Sequence, residues 1–152
     1  MGSRRRNPPG ARSITELSVA IGAAVRWFRK ERVPYAIIGG VAAGILGIPR
    51  MTRDVDAVVW LGDRDWSRFL AAGRAFGMIP RIRDALAFAR TNRIFLFRHS
   101  RSGIDLDVSC GALPFEKEMI NRAHTARLGR LLIRVAPPEH LITMKAIAGR
   151  DR

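Results

Sequence analysis

Cysteine is nearly missing from this 152-residue chain, and Cys110 stands alone. A single thiol rules out a disulfide framework within the chain. His99, His124 and His140 share no ligand spacing with it or with one another, which argues against zinc. Lysine is almost as scarce. Lys30, Lys117 and Lys145 are the only three, so arginine carries nearly all the positive charge. Long apolar runs are absent too. The longest, from Tyr35 to Ile48, is rich in glycine, stops at Pro49-Arg50 and is too short to cross a bilayer. No apolar segment with a cleavage pattern follows the N-terminal arginines, so no secretory signal is read and a cytoplasmic location is expected.

What is present is an ordinary globular make-up with an extreme charge. A hydrophobic content of 47% and a mean hydropathy of -0.02 suit one domain with a real core and exclude disorder throughout. Basic residues outnumber acidic ones 27 to 13, giving a net charge of +14. Such a field attracts a polyanion such as RNA or DNA, and binding of that kind is salt-sensitive. A GC-rich genome produces the same arginine bias, so the charge alone identifies no partner.

Residues 1–13 hold Arg4-Arg5-Arg6, Pro8-Pro9 and Gly10 and read as a disordered basic arm ahead of a domain spanning 14–152. From Ile14 to about Glu31, Leu17, Ile21, Ala24, Val25 and Phe28 recur at helical spacing, with Ser13 or Thr15 as the cap. Tyr35 to Ile38 reads as a buried strand ended by Gly39-Gly40, and Val41 to Leu46 as a short helix. Asp54 to Leu61 suits a second strand. Asp63 is placed to cap a helix carrying Trp66, Phe69, Leu70 and Phe76 inward. Met78 to Ile82 and Ala87 to Arg90 are expected as short strands, and Ile94 to Arg98 with Ile104 to Ser109 as a hairpin. A helix over Phe115 to Ala123, a strand over Leu131 to Val135 and a helix over Glu139 to Ala148, begun by Pro137-Pro138, complete the chain. The sum is α/β (α+β): a mixed sheet flanked by helices. The three tryptophans are expected in or beside the core.

The chemistry concentrates in Gly39-Gly40, thirteen further residues, then Asp54-Val55-Asp56. Residues two apart on a strand leave the same face, so Asp54 and Asp56 stand side by side. Two such carboxylates repel unless a cation lies between them, and hard oxygen pairs suit magnesium or manganese with substrate phosphate. Glycines let backbone N–H groups approach a phosphate closely. Ile104-Asp105-Leu106-Asp107-Val108 offers two candidates for a third carboxylate.

A Gly-Gly turn, a spacer of this length, Asp-x-Asp and a later apolar-Asp-apolar strand resemble the DNA polymerase beta-like nucleotidyltransferase superfamily. The string Arg50-Met51-Thr52-Arg53-Asp54-Val55-Asp56 looks like the AbiEii toxin branch, with Asp105 at its third-carboxylate position and Pro138-Glu139-His140-Leu141 plus Lys145 similar to its later helix. The resemblance covers about Val33 to Arg150. It implies magnesium-dependent (or manganese-dependent) transfer of a nucleoside monophosphate from a nucleoside triphosphate to an acceptor hydroxyl. The acceptor would be an RNA such as tRNA, or a protein, and an antitoxin would be the partner. Asp54, Asp56 and Asp105 would hold the metals, Gly39 and Gly40 would cradle the β- and γ-phosphates, and Arg50, Thr52 or Lys145 would neutralise the leaving pyrophosphate. That branch continues into a C-terminal helical part, whereas here the sequence stops at Arg150-Asp151-Arg152, so a minimal or shortened member is expected.

Plainer readings stand beside these. Asp54 and Asp56 fit a solvated strand end, Asp105 a structural partner of an arginine, and Asp107, as either a second ligand or a salt-bridged neighbour, is expected to be the neighbour. Lys145 fits the exposed face of an amphipathic helix, Thr52 a braced turn, and Arg50 any surface anion. A non-catalytic module that binds nucleotide or nucleic acid is the rival to the enzyme, and three clustered carboxylates weigh against it.

Overall fold

A computed structural model describes residues 9–45 and 53–150, with side-chain surroundings for 14–45 and 53–147. Arg50, Thr52 and residues 1–8 of the proposed arm lie outside that range. The first helix, α1, spans Pro9–Lys30. It reaches back beyond Ile14 to a proline at its first position, so Ser13 and Thr15 are interior residues and not caps. Its end is built by the backbone. Val33 N–H donates to the Phe28 carbonyl at 2.9 Å and Arg32 N–H to that of Arg29 at 3.1 Å. Arg32, at φ 53°, takes the left-handed position that closes this double-bonded cap.

The chain then alternates strands and helices: β1 (Tyr35–Ile38), α2 (Gly39–Ile45), β2 (Asp54–Val59), α3 (Trp66–Gly73) and, after a 3-10 turn, β3 (Met78–Pro80). Next come α4 (Ala85–Asn92), β4 (Ile94–His99), β5 (Asp105–Cys110), α5 (Pro114–Asn121), β6 (His124–Leu128), β7 (Leu131–Val135) and α6 (Pro138–Arg150). Four readings need correction. Gly39-Gly40 ends β1 as expected, but α2 begins at Gly39 and not at Val41. Asp65, not Asp63, caps α3, its Oδ1 accepting from Ser67 N–H at 2.9 Å and Arg68 N–H at 3.1 Å. Ala87 to Arg90 is helix, since Ala85 and Ala89 share one buried face four residues apart. And β6 is a strand that sequence reading omitted.

The seven strands form one mixed sheet in the order β3-β4-β5-β2-β1-β7-β6. β2 runs parallel to β5 and β1 parallel to β7, while the other neighbours are antiparallel. One face carries Val55, Ala57 and Val59 of β2 with Leu106, Val108 and Cys110 of β5, and α1, α3 and α4 cover it. Trp27 anchors that layer, stacked on Phe69 at 4.3 Å and edge-on to Phe97 at 5.3 Å. Burying each such ring stabilises the fold by about 1.5–3 kcal/mol. The opposite face is covered over only part of its length. Ala36, Ile38 and Val58 pack under Met119 and Ile120 of α5, with Leu141 and Met144 of α6 alongside. Trp27 is fully buried, and Trp60 and Trp66 are half-buried, as a core role requires. Among the described residues no helix is long and apolar enough to cross a membrane.

Cys110 ends β5 with 2% exposure, and burial pushes its thiol pKa up to about 12. A buried thiol that stays protonated is a poor nucleophile. The native protein is therefore expected to ignore an aromatic disulfide reagent at pH 8, and the same protein in guanidinium to titrate one thiol per chain. Rapid reaction of the native form would show that the end of β5 opens.

Candidate functional site

The uncovered part of the second sheet face holds the acidic residues. On β2 and β5 the inward set is apolar at every second residue, which turns Asp54, Asp56, Asp105 and Asp107 to the other side. The parallel register sets Asp54 opposite Asp105 and Asp56 opposite Asp107. Neighbouring strands lie roughly 5 Å apart and alternate residues about 6.6 Å apart. Four carboxylates thus share a rectangle of about those dimensions. Each row has a different flank. Asp56 and Asp107 sit between Ile38 of β1 and Leu96 of β4, whereas Asp105 faces Arg98 of β4.

Those flanks decide the electrostatics. Asp56 is half-buried, and desolvation raises its pKa to about 6, with the Asp107 and Asp54 charges adding to the rise. Burial raises Asp107 as well, against the pull of Arg81. Asp105 moves the other way, because the hydrogen bond from Arg98 favours its charged form. Arg98 Nε donates to Asp105 Oδ1 at 2.8 Å. Arg81, just beyond β3, donates from Nη1 to Asp105 Oδ2 at 3.4 Å and from Nη2 to Asp107 Oδ1. Both oxygens of Asp105 are therefore engaged by arginine, and one oxygen of Asp107.

Gly39 is built tightly against this group. Its φ is +69°, and a Cβ added there would lie 2.5 Å from Asp56 Oδ2. Any residue with a side chain would push the Asp56 carboxylate away. Gly40 follows it in the first turn of α2. Lys145 is exposed on α6, a helix that touches α2. Of the residues singled out from sequence, Gly39, Asp54, Asp56 and Asp105 thus lie at one end of the sheet, Gly40 is next to them, and Lys145 lies on α6, which packs on α2. Arg81 and Arg98 were missed. Arg98 was legible in principle, since the Ser100–Gly103 turn pairs it with Asp105; Arg81 arrives only through the pairing of β3 with β4.

Among the described residues, no three Asp, Glu, His or Cys side chains are grouped so as to hold a metal ion. The donor chemistry nevertheless fits a hard divalent cation. Asp56 is partly desolvated among like charges, with no arginine on it among the described residues, and that is the electrostatic demand that magnesium or manganese meets.

No protein-family model matches the sequence, and no curated protein matches it. Solved structures do. The chain is similar to a Thermotoga maritima protein named as a "putative nucleotidyltransferase", with a TM-score of 0.57 at 11% identity over 98% of this chain and 91% of that one. It is also similar to an antigenic nucleotidyltransferase-like protein from Paracoccidioides brasiliensis, with a TM-score of 0.55 at 17% identity over 92% of this chain and 67% of that one. At these identities the likeness concerns the fold. This chain has the nucleotidyltransferase fold in a single α/β domain.

Proposed function

We propose that the chain is a divalent-metal-dependent nucleotidyltransferase that moves a nucleoside monophosphate from a nucleoside triphosphate to an acceptor hydroxyl. The observation that carries this reading is the partly buried Asp56, with its pKa raised to about 6 between Asp54 and Asp107 and with Gly39 held against it. Close like charges destabilise one another, and a divalent cation at Asp56 would relieve the repulsion that Arg81 and Arg98 leave there.

Asp54 and Asp56 are the proposed metal ligands, with magnesium or manganese as the ion. Of the two β5 carboxylates, Asp107 is the better third ligand. It lies opposite Asp56 and keeps one oxygen clear of arginine, whereas Asp105 spends both on Arg81 and Arg98. That choice proposes the reverse of the sequence expectation for both residues: Asp107 becomes the ligand, and Asp105 takes an anchoring role. The bound ion would supply Lewis acidity at the α-phosphate and at the acceptor oxygen. Gly39 keeps the carboxylate in place, and Arg81 brings positive charge to the edge where triphosphate would enter. In the transfer, the acceptor oxygen bonds to the α-phosphorus as the bond to pyrophosphate breaks.

Kinship with the AbiEii toxin branch is supported by Asp54-Val55-Asp56 and the β5 acids, while Arg50 and Thr52, the rest of that signature, lie outside the described residues. RNA such as tRNA is the proposed acceptor because of the +14 charge. A protein acceptor, a triphosphate-binding role for Lys145 and an antitoxin partner belong to the same proposal. A second reading has one observation in its favour: the arginines on Asp105 and Asp107 already neutralise part of the site, as a non-catalytic nucleotide-binding or nucleic-acid-binding module requires.

Incubation with each α-labelled triphosphate, magnesium and total RNA or total protein separates the two. Label should pass to the acceptor, and should stop on chelation and in Asp56→Ala. Absence of transfer to every acceptor, with triphosphate binding indifferent to magnesium, would sink the enzyme and leave the module.

A further inference from the structure

Arg81 bridges two of the four carboxylates. Its Nη1 donates to Asp105 and its Nη2 to Asp107, on a single guanidinium spanning residues two apart on β5. The backbone beneath it is fixed, Arg81 N–H donating to the Leu96 carbonyl at 2.8 Å. Among the described residues its side chain is held by these two carboxylates, which another anion could replace. The two grips are unequal in what they leave behind. Asp105 retains Arg98 at 2.8 Å when Arg81 departs. Among the described residues Asp107 has no second arginine, and it faces Asp56 across the strand pair.

We propose that Arg81 is a triphosphate-binding residue parked on the β5 carboxylates, and that its Nη2 arm leaves Asp107 for the incoming phosphates when Asp56 and Asp107 would take up a divalent ion. This inference rests on the metal-dependent reading above and names how its substrate is received. A guanidinium and a divalent cation cannot both neutralise Asp107 without repelling one another. Arginine released from a carboxylate has its best alternative in a phosphate, whose oxygens match the same two-pronged donor geometry. Asp105, tied by Arg98, is the hinge point that keeps the swung arginine at the site, and it is a positioning residue. The device also makes triphosphate binding depend on metal: the phosphate ligand becomes available only when the ion has arrived.

Two ligands should respond in opposite directions to one substitution. Manganese alone is titrated into the full chain and followed by its electron paramagnetic resonance, and inorganic tripolyphosphate is titrated calorimetrically with magnesium present. Arg81→Gln should tighten manganese about ten-fold, since it removes a competing cation, and weaken tripolyphosphate by a similar factor. Arg83→Gln removes the same charge from a neighbouring exposed position and should change either by less than about two-fold. If Arg81→Gln melts early, Arg81→Lys carries the test. One ammonium cannot span both carboxylates, so manganese should still tighten while tripolyphosphate weakens less. Unchanged or weaker manganese binding in the arginine variant, or a tripolyphosphate loss no larger than in Arg83→Gln, overturns the parked-arginine inference alone. A parent protein that binds neither manganese nor tripolyphosphate overturns the metal-dependent reading, and this inference with it.

Discussion

Asp56→Asn is expected to stabilise the metal-free protein and abolish its transfer activity. The sign follows from linkage. Asp56 titrates near pH 6 in the folded protein and near its ordinary 3.8 in the unfolded chain. Below pH 3.8 it is protonated in both states and adds nothing. Between about 4 and 6 the unfolded chain has released its proton while the fold still holds one, so stability falls as pH rises. Above 6 the whole penalty is present. Asp107, raised by burial, adds in the same direction, whereas Asp105, held low by Arg98, gives stability that is lost only in stronger acid. Asparagine keeps the shape and removes the charge. At pH 7.5, after allowance for solvent screening at a half-exposed group, the metal-free variant should gain about 1 kcal/mol, or about 2–4 °C in melting temperature for a domain of this size. Its decline between pH 4 and 6 should be shallower than the parent's. Magnesium should then raise the parent's melting temperature and leave the variant's almost unmoved. Nucleotidyl transfer should fall by roughly 100-fold or more. A variant less stable than the parent at pH 7.5 without metal would mean that Asp56 is a satisfied surface residue, and the cation demand at the site would disappear with it.

The parts of this site that sequence reveals are those set by local spacing. Asp54 and Asp56 share a face because a strand repeats every two residues, and the bounds of β1 and β7 follow from short apolar runs between turn residues. Arg98 meets Asp105 through a four-residue turn, again a local fact. The rest depends on contacts distant in sequence. Whether Asp56 faces Asp105 or Asp107 is fixed by the parallel register of β2 with β5, which joins segments some fifty residues apart. No spacing within either segment contains that choice. Arg81 reaches the acids only because β3 pairs with β4. Two element assignments failed for a similar reason. Ala87-Phe88-Ala89-Arg90 is too short to distinguish a period of two from one of 3.6, and tertiary packing on β4 makes it helical. His124 to Leu128 is a mostly exposed edge strand, so no alternation of buried residues marks it. Gly39-Gly40 are poor helix formers, and α2 exists because Val41 and Ala42 are buried against β1 and β2.

Gly39→Ala should disable the site while leaving the fold in place, and two other glycines separate the causes. A methyl at position 39 meets two obstacles. The backbone there is left-handed at φ +69°, which disfavours an L side chain by about 1 kcal/mol. The methyl would also stand 2.5 Å from Asp56 Oδ2 and 3.1 Å from its Cβ and Cγ, so the short Asp56 side chain has to turn away. Because Ile38 pairs directly with Asp56, the strand beneath cannot slide to relieve the contact. Displacing a metal-binding carboxylate by about an ångström lowers turnover roughly 100-fold. Gly103, in the turn between β4 and β5, has φ +72° and nothing within 4 Å of an added Cβ. Gly103→Ala therefore measures the left-handed penalty without a clash, and should cost about 1 kcal/mol in stability with transfer intact. Gly44, inside α2 with nothing within 4 Å, measures a methyl with neither obstacle. Its alanine variant should gain about 0.5–1 kcal/mol from helix propensity. Thermal melts and manganese titrations of the three variants make the comparison. If Gly39→Ala binds manganese as the Gly103→Ala variant does, the glycine serves the turn and not the carboxylate. Weakened metal binding in Gly39→Ala alone would tie the glycine to Asp56, since the methyl at 39 differs from the one at 103 only in what stands beside it.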